Sequence, residues 1–296
     1  MKKPKRFGIW GNTEKPQFWE LFPKIVSWAE KKGLEVFITT RILDKMDDPD
    51  AFQYSVIESA DGFHQLDFLL TLGGDGTILS AARAVAHRKT RILGIHLGEL
   101  GFLAQVTVND MIRRLDLVAD GQYTLQKRMV LKCEVYNGNE PEVFYALNDF
   151  VLDRGKSHRM LNCRLLANDR FVANYRSDGL IVATPTGSTA YSLAAGGPIV
   201  MPILSAIVVT PISPHTLTLR SIVMPDDRTL EIDFSKETQE EVALAVDGQV
   251  CEYLDSHSKV FIQKAAHEIY MIDFEDTNYF QTLRTKMGWG KRGEVD

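Results

Sequence analysis

A glycine-rich segment with a single carboxylate, Gly73-Gly74-Asp75-Gly76, is the first place in the sequence where chemistry is expected. It follows the apolar run Phe68 to Leu72 and opens an Ala-rich segment with helical spacing. Glycines at such a junction let the backbone approach a phosphate, and the helix N-terminus adds free N–H donors. A carboxylate facing the phosphate directly would be repelled, so we expect Asp75 to bind Mg²⁺ or to accept the proton of an attacking hydroxyl. The alternative is a plain turn in which Asp75 caps the helix.

A second segment is rich in hydroxyl groups and glycine. It reads Thr184-Pro185-Thr186-Gly187-Ser188-Thr189-Ala190-Tyr191-Ser192-Leu193-Ala194-Ala195-Gly196-Gly197-Pro198 and follows the strand-like run Gly179 to Ala183. Hydroxyls and backbone N–H groups without a cation suit hydrogen bonding to sugars and amides, or a phosphate held by backbone N–H groups. The alternative is a β-turn-helix element in which small residues serve packing alone.

This second segment lies in a charge-free stretch, residues 179 to 219, which contains no Asp, Glu, Lys or Arg. With 25% charged residues in the whole chain, a stretch of this length would be expected to hold about ten charges. Five of the eleven prolines fall here, and the longest runs without Gly or Pro are eight residues. That is far short of the roughly 20 apolar residues of a membrane-spanning helix. The stretch is therefore predicted to be buried in protein or to line a site.

The composition sets outer limits on the function. The 296 residues suggest about two domains, and 45% hydrophobic residues are enough for a folded core. A formal net charge of -5 disfavours bulk nucleic-acid binding. Three scattered cysteines without a C-x-x-C spacing argue against a disulfide framework or a structural zinc site and fit a reducing cytosol. The chain has neither a G-x-G-x-x-G after its first strand nor a Walker A loop, which excludes a standard dehydrogenase or P-loop enzyme.

The elements that must position these residues differ between the two halves of the chain. Up to about residue 125, strand-like and helix-like segments alternate, which predicts an α/β domain with a Rossmann-like parallel sheet over residues 1–125. The predicted strands are Arg6 to Trp10, Leu34 to Thr40, Phe68 to Leu72 and Arg91 to Leu97, and the predicted helices are Pro16 to Lys32, Phe52 to Ala60, Thr77 to His87 and Asn109 to Ala119.

Residues 126–274 are predicted to form a β-rich domain, and the tail from about 275 to 296 is free to pack back on the first domain. The predicted strands are Val130 to Tyr136, Val143 to Asp153, Asn162 to Leu166, Arg170 to Tyr175, Ile207 to Thr210, Leu230 to Phe234, Val242 to Val246, Val260 to Gln263 and Ile269 to Phe274. The polar pair Asn148-Asp149 interrupts one of them. If these two side chains are buried, they need hydrogen-bond partners. The alternative is that they lie at a bulge or are exposed to solvent.

Taken together, these segments resemble the NAD kinase family. The motifs that occur in that family's order are Gly73-Gly74-Asp75-Gly76, Leu100-Gly101-Phe102-Leu103, Asn148-Asp149, Arg176-Ser177-Asp178-Gly179, Thr184 to Ser192 and Gly196-Gly197-Pro198. The resemblance implies an ATP-dependent kinase that phosphorylates the 2′-hydroxyl of the adenosine ribose of NAD to give NADP. It also implies an α/β domain followed by a β-rich one with the site between them, a divalent cation such as Mg²⁺, and a cytoplasmic homodimer or homotetramer. Only the first 65 residues carry no motif of the family.

The resemblance also implies roles for single residues. Asp75 matches the family's proposed base, and Gly76 matches its neighbour in the NAD site. Further matches to NAD-binding positions are Asn148, Asp149, Arg159, Arg176, Asp178, Thr189, Ala190, Tyr191, Ser192, Leu193, Ala194 and Gln249. Asp149 stands where the family has Glu and is one methylene shorter, which reduces the reach of its carboxylate.

Two other functions stay open at this point. A lipid or sugar-phosphate kinase can share the Gly-Gly-Asp-Gly motif, although the hydroxyl-rich stretch favours a polar nucleotide over a lipid. A dinucleotide-binding regulator without catalysis would bind NAD and consume no ATP, although the candidate base Asp75 is present.

Overall fold

The computed structural model describes residues 3–137, 140–157, 159–234, 241–255, 257–288 and 290. The chain divides into two compact units, the first formed by Met1–Lys127 with Ile269–Asp296 and the second by Arg128–Glu268. The sequence-based division lies at 125/126 and at 274/275. The first unit is α/β and the second is β-rich, so the predicted fold class is confirmed.

A parallel sheet forms the centre of the first unit. Its strands are β1 (Arg6–Gly11), β2 (Glu35–Thr39), β3 (Ser55–Ile57), β4 (Phe68–Gly73), β5 (Arg91–His96) and β6 (Val106–Thr107). β1 lies between β2 and β4, β3 extends the sheet beyond β2, and β5 pairs with both β4 and β6. All six residues of β4 are buried, as an apolar run in a parallel sheet predicts. The Gly-Gly-Asp-Gly motif therefore starts at the carboxyl end of a central strand.

Helices connect these strands: α1 (Pro16–Lys32), α2 (Thr40–Leu43), α3 (Asp75–Val85) and α4 (Met111–Ala119). The predicted bounds of α1 are confirmed. Its buried face includes Phe18, Leu21 and Ile25, and the helix ends where Gly33 takes a φ of 67° and donates its N–H to Glu30 O.

Three predictions for the first unit need correction. The predicted helix from Phe52 to Ala60 is wrong, because Ser55–Ile57 is extended and pairs with β2, and a 3₁₀ helix, Ala60–Gln65, follows. Two adjacent β-branched residues there favour the strand. α3 begins at Asp75, two residues before the predicted Thr77, and the predicted helix from Asn109 starts as a 3₁₀ turn, Val108–Asp110, before α4.

The remaining strands are mainly antiparallel and, apart from the start of β7 and the end of β18, lie in the second unit. They are β7 (Thr124–Tyr136), β8 (Glu142–Ala146), β9 (Asp149–Asp153), β10 (Leu161–Ala167), β11 (Arg170–Ser177), β12 (Gly179–Ala183), β13 (Ala206–Ile212), β14 (Ile222–Pro225), β15 (Leu230–Phe234), β16 (Glu241–Val246), β17 (Val250–Asp255) and β18 (Lys259–Asp273). One sheet has the order β14-β13-β12-β9-β16-β17. In the other, β11, β10, β15 and β18 are neighbours, β7 pairs with β18, and β8 pairs with β7. A 3₁₀ turn, Gly187–Thr189, and the short helix α5 (Tyr191–Ala194) follow β12.

The predicted strand from Val143 to Asp153 is in fact two strands, β8 and β9, with a break at Leu147 and Asn148. Conversely, the two strands predicted at Val260 to Gln263 and Ile269 to Phe274 form one long strand, β18. The end of β18 belongs to the first unit, where Met271 pairs in parallel with Ile92, and helix α6 (Tyr279–Met287) follows in that unit.

Burial explains the absence of charge from two strands of the charge-free stretch. All five residues of β12 are buried, and so are six of the seven residues of β13, its antiparallel partner. A charge at these positions would lose its hydration without gaining a partner. In the part of the chain that the structure describes, no helix has the length and apolar character needed to cross a membrane.

Candidate functional site

Asp75 is the first residue of α3, directly after the turn that ends β4. Its carboxylate reaches a neighbouring loop: Oδ2 accepts a hydrogen bond from the backbone N–H of Phe102 at 2.8 Å, and Oδ1 accepts from Leu103 at 3.0 Å and Ala104 at 3.1 Å. The N-cap residue of α3 is Gly74, without a side-chain cap. The alternative that Asp75 serves as a helix cap is therefore wrong.

Gly101 makes this arrangement of Asp75 sterically possible, and Gly73 leaves room for Thr77 of the same helix. A Cβ on Gly101 would lie 1.9 Å from Asp75 Oδ1, and a Cβ on Gly73 would lie 2.0 Å from Thr77 Oγ1. A carboxylate offers about four acceptor positions, two on each oxygen. Among the described residues, three backbone donors fill both positions on Oδ1 and one on Oδ2, which leaves one position on Oδ2. Next to it, Gly76 is exposed, and a Cβ placed on Gly76 would meet nothing within 4 Å.

The polar pair of the second unit lies where β8 ends and β9 begins. Asn148 is half-buried at the break, whereas Asp149 is 4% exposed, which rules out a solvent position for its side chain. Asp149 Oδ2 accepts no hydrogen bond from the residues that the structure describes. Burial, together with the negative charge of Asp247, raises the pKa of Asp149 to about 7. Asp149 therefore keeps its proton to a higher pH than an ordinary aspartate does.

Most hydroxyl groups of the hydroxyl-rich segment form hydrogen bonds to other groups of the protein. Thr184 Oγ1 donates to Leu147 O at 2.6 Å and accepts from Gly187 N at 3.0 Å. Ser188 Oγ is 2.7 Å from Pro185 O and 3.0 Å from Val200 N. Both side chains are fully buried, so these hydroxyls are not available to a ligand. The packing alternative is correct for them.

The later part of this segment is more open. Tyr191 and Ala194 are exposed, and Thr189, Ala190 and Leu193 are half-buried. Ser192 differs from them, because its hydroxyl is buried and lies 2.9 Å from Thr210 Oγ1.

The remaining residues that the resemblance implicates lie on other elements of the second unit. Arg159 is exposed in a loop, and Arg176 is exposed on β11. Asp178 is half-buried and forms an ion pair with Arg154 at 3.6 Å, and Gln249 is exposed in the turn after β16.

Hydrogen bonds join three of these regions in the second unit: the Asn148–Asp149 break, the loop from Thr184 to Thr189, and the turn at Asp247. Asp75 and Gly76 lie in the first unit. Sequence reasoning did not single out Asp247, Thr184 or Gly101 for these contacts. Asp247-Gly248 is visible in the sequence only as a turn signal, and nothing local indicates where its carboxylate points.

Among the described residues, no group of three or more His, Cys, Asp or Glu side chains is arranged to hold a metal ion. Mg²⁺ commonly binds proteins through one or two carboxylates together with substrate phosphates. The described carboxylates therefore fit a cation that binds together with a nucleotide better than a cation whose ligands all come from the protein.

Two family models match the chain. The model of the ATP-NAD kinase N-terminal domain covers residues 7–123, and that of the ATP-NAD kinase C-terminal domain covers residues 147–274. The chain belongs to the ATP-NAD kinase family. It is therefore an enzyme, a phosphotransferase, and the resemblance predicted from the motifs is confirmed. The match to the ATP-NAD kinase family also includes most of the first 65 residues, in which no motif was found.

Curated relatives cover nearly the whole chain. An NAD kinase of Syntrophotalea carbinolica is 39% identical over 97% of this chain and 100% of its own length, and one of Thermoanaerobacter sp. is 39% identical over 96% and 99%. Among solved structures, yeast NADH kinase complexed with NADH has a TM-score of 0.91 at 25% identity, covering 100% of this chain and 91% of that one. An NAD kinase from Archaeoglobus fulgidus in complex with ATP has a TM-score of 0.73 at 23% identity and covers 95% and 97%. This last likeness supports the fold.

Proposed function

We propose that this chain transfers the γ-phosphoryl group of ATP to the 2′-hydroxyl of the adenosine ribose of NAD and so forms NADP. The observation that carries the proposal is the hydrogen bonding of Asp75: three backbone N–H groups fix its carboxylate, and the described residues leave one acceptor position on Oδ2. A base held in this way needs no reorganisation before it accepts a proton.

In this reaction the ribose hydroxyl binds with its O–H directed at Oδ2 of Asp75. As the hydroxyl oxygen bonds to the γ-phosphorus, its proton passes to the carboxylate and ADP leaves with the electrons of the broken P–O bond. Phosphoryl transfer of this kind depends mainly on positioning and charge neutralisation. Mg²⁺, the proposed cation, would neutralise phosphate charge when it is bound with ATP.

We take the residues that bind the dinucleotide from the family resemblance. The proposed NAD-binding set is Asp75, Gly76, Asn148, Asp149, Arg159, Arg176, Asp178, Thr189, Ala190, Tyr191, Ser192, Leu193, Ala194 and Gln249. Within it, Gly76, Tyr191 and Gln249 are exposed and can touch a ligand directly. Asp149 and Ser192 are buried and would act from beneath the surface. The proposal further includes a cytoplasmic homodimer or homotetramer, as the family resemblance implies.

The test is NADP formation from NAD, ATP and Mg²⁺, followed in a coupled assay. Asp75→Asn keeps the size of the side chain but removes the base, so we expect turnover to fall by roughly 10²–10⁴-fold while NAD still binds. Asp61→Asn is the matched control, because Asp61 is an exposed carboxylate of the same unit that pairs with Arg88. Near-normal turnover of Asp75→Asn would contradict the role of Asp75 as base.

The same assay separates the competing functions. Parallel reactions with NAD, NADH and diacylglycerol identify the acceptor, and ATP consumption distinguishes a kinase from a regulator that only binds. A wild-type chain that phosphorylates diacylglycerol but not the dinucleotides would overturn the proposal.

A further inference from the structure

Asp247 begins the turn between β16 and β17, in the sequence Asp247-Gly248-Gln249. Asp247 has a φ of 51° and Gly248 a φ of 62°. Two consecutive residues with positive φ are typical of the tight turns that join antiparallel strands, and Asp-Gly is among the preferred pairs. The turn itself thus accounts for the backbone of Asp247 but not for the direction of its side chain.

The carboxylate of Asp247 binds three consecutive backbone N–H groups at the break between β8 and β9. Oδ1 accepts from Asn148 at 2.7 Å and from Asp149 at 3.2 Å, and Oδ2 accepts from Leu147 at 3.1 Å. In return, the N–H of Asp247 donates to Asp149 O at 3.0 Å. Four hydrogen bonds therefore tie this turn to a segment about 100 residues away in sequence.

The carbonyl groups of the same segment are fixed from another direction. Thr184 Oγ1 donates to Leu147 O at 2.6 Å, and Thr184 N–H donates to Asn148 O at 2.8 Å. Gly187 packs so closely that a Cβ there would lie 2.1 Å from Asn148 O. The backbone from Leu147 to Asn148 is thus held through its N–H groups by Asp247 and through its carbonyls by Thr184.

We propose that Asp247 is a positioning residue of the dinucleotide site: its carboxylate fixes the backbone of Leu147–Asp149 so that Asn148 presents its side chain to NAD. This inference rests on the proposed function and deepens it. Hydrogen bonds to a charged acceptor are stronger than those between neutral groups. Losing part of this set would leave Asn148 on a less ordered backbone, so binding of NAD would suffer more than turnover at saturation.

Asp247 has a second effect, which provides a readout that a merely structural role would not give. Asp247 is the charged group whose field raises the pKa of Asp149, in addition to burial. The ionised form of Asp149 adds negative charge near a ligand that carries two phosphates, so NAD should bind more weakly as Asp149 ionises. Removing the charge of Asp247 lowers the pKa of Asp149 and moves this change to lower pH.

The experiment compares wild type, Asp247→Asn and a matched control, Asp169→Asn. Asp169 also has a positive φ, 60°, in the tight turn between β10 and β11, but its side chain is exposed. For wild type, the dissociation constant of NAD, measured by calorimetry, should rise between pH 6 and pH 8 with a midpoint near 7. For Asp247→Asn we expect binding about tenfold weaker at pH 7.5, a midpoint at lower pH, and kcat within about threefold of wild type. Asp169→Asn should match wild type.

Two outcomes would overturn the inference. One is unchanged NAD affinity and an unchanged midpoint in Asp247→Asn; the other is a loss of kcat and thermal stability with no change in affinity. If Asp247→Asn does not fold, Asp247→Glu keeps the charge but displaces the carboxylate by one methylene. If Asp247→Glu binds NAD more weakly but keeps the pH midpoint of wild type, the positioning role of Asp247 is supported. Unchanged NAD binding in this variant refutes it. A wild-type chain that makes no NADP would instead refute the proposed function, so the two failures are distinguishable.

Discussion

The buried carboxyl of Asp149 should make the stability of the protein fall as the pH rises. Burial and the charge of Asp247 raise its pKa from 3.8 to about 7 in the folded protein. The folded state therefore holds a proton that the unfolded chain has already lost between these two values, so the free energy of unfolding decreases with pH across this interval. At 1.36 kcal/mol per pKa unit, the loss is about 4 kcal/mol between pH 4 and pH 8.

Asp149→Asn removes this titration and keeps the shape of the side chain. The variant should approach wild type at pH 4, apart from a constant offset, and gain up to about 4 kcal/mol over wild type by pH 8. The measurement is equilibrium urea unfolding at several pH values. Far-UV circular dichroism is the suitable probe, because three of the four tryptophans, Trp10, Trp19 and Trp28, lie in the first unit and Asp149 lies in the second.

The pH dependence of the difference between variant and wild type decides the question. A difference that stays constant within about 0.5 kcal/mol from pH 4 to pH 8 would show that Asp149 is not held in its neutral form, and the reasoning from burial would be refuted. Asp169→Asn serves as control, because its exposed side chain should leave the pH dependence of stability unchanged.

Two glycine substitutions test the close contacts that shape the site. Gly101→Ala forces a Cβ to within 1.9 Å of Asp75 Oδ1, so we expect kcat to fall by roughly 10²-fold or more. Gly98→Ala, whose Cβ would meet only Lys15 Nζ at 3.7 Å, should be nearly neutral, and equal losses in both variants would contradict the argument. Gly187→Ala places a Cβ 2.1 Å from Asn148 O, and should lower the free energy of unfolding by about 1–3 kcal/mol and weaken NAD binding in a calorimetric titration.

How much the sequence predicts depends on how local the decisive interaction is. The bounds of α1 follow from the spacing of its apolar residues and from Gly33, all within one segment. The helix predicted from Phe52 to Ala60 is wrong, because the pairing of Ser55–Ile57 with β2 overrides the local preference of this segment. The sequence marks an interruption at Asn148-Asp149 but does not predict two separate strands, because the acceptor for the N–H groups at the break, Asp247, lies 98 residues beyond Asp149.

The candidate site shows the same contrast between local interactions, which the sequence predicts, and long-range interactions, which it does not. The motif around Asp75 marks the position of a reactive carboxylate, but its orientation depends on the backbone of a loop 27 to 29 residues further along the chain. The resemblance to the family supplied the reaction. It did not supply the contacts of Gly101, Thr184 and Asp247, which are made between segments that are distant in sequence.

These contacts change the role that we assign to the hydroxyl-rich segment. Its absence of charge invites the interpretation that hydroxyls replace cations as ligand donors, yet Thr184 and Ser188 are buried and bonded within the protein. Their hydroxyls instead hold the loop in a fixed shape, and the hydroxyl of Thr184 also fixes the carbonyl of Leu147, while its backbone N–H fixes that of Asn148. Charged side chains in this place would have to be solvated or paired, and either need would open the packing. Specificity for a dinucleotide would then come from a rigid backbone that carries a few exposed groups, with Asp247 and Thr184 acting on the same short segment from its two sides.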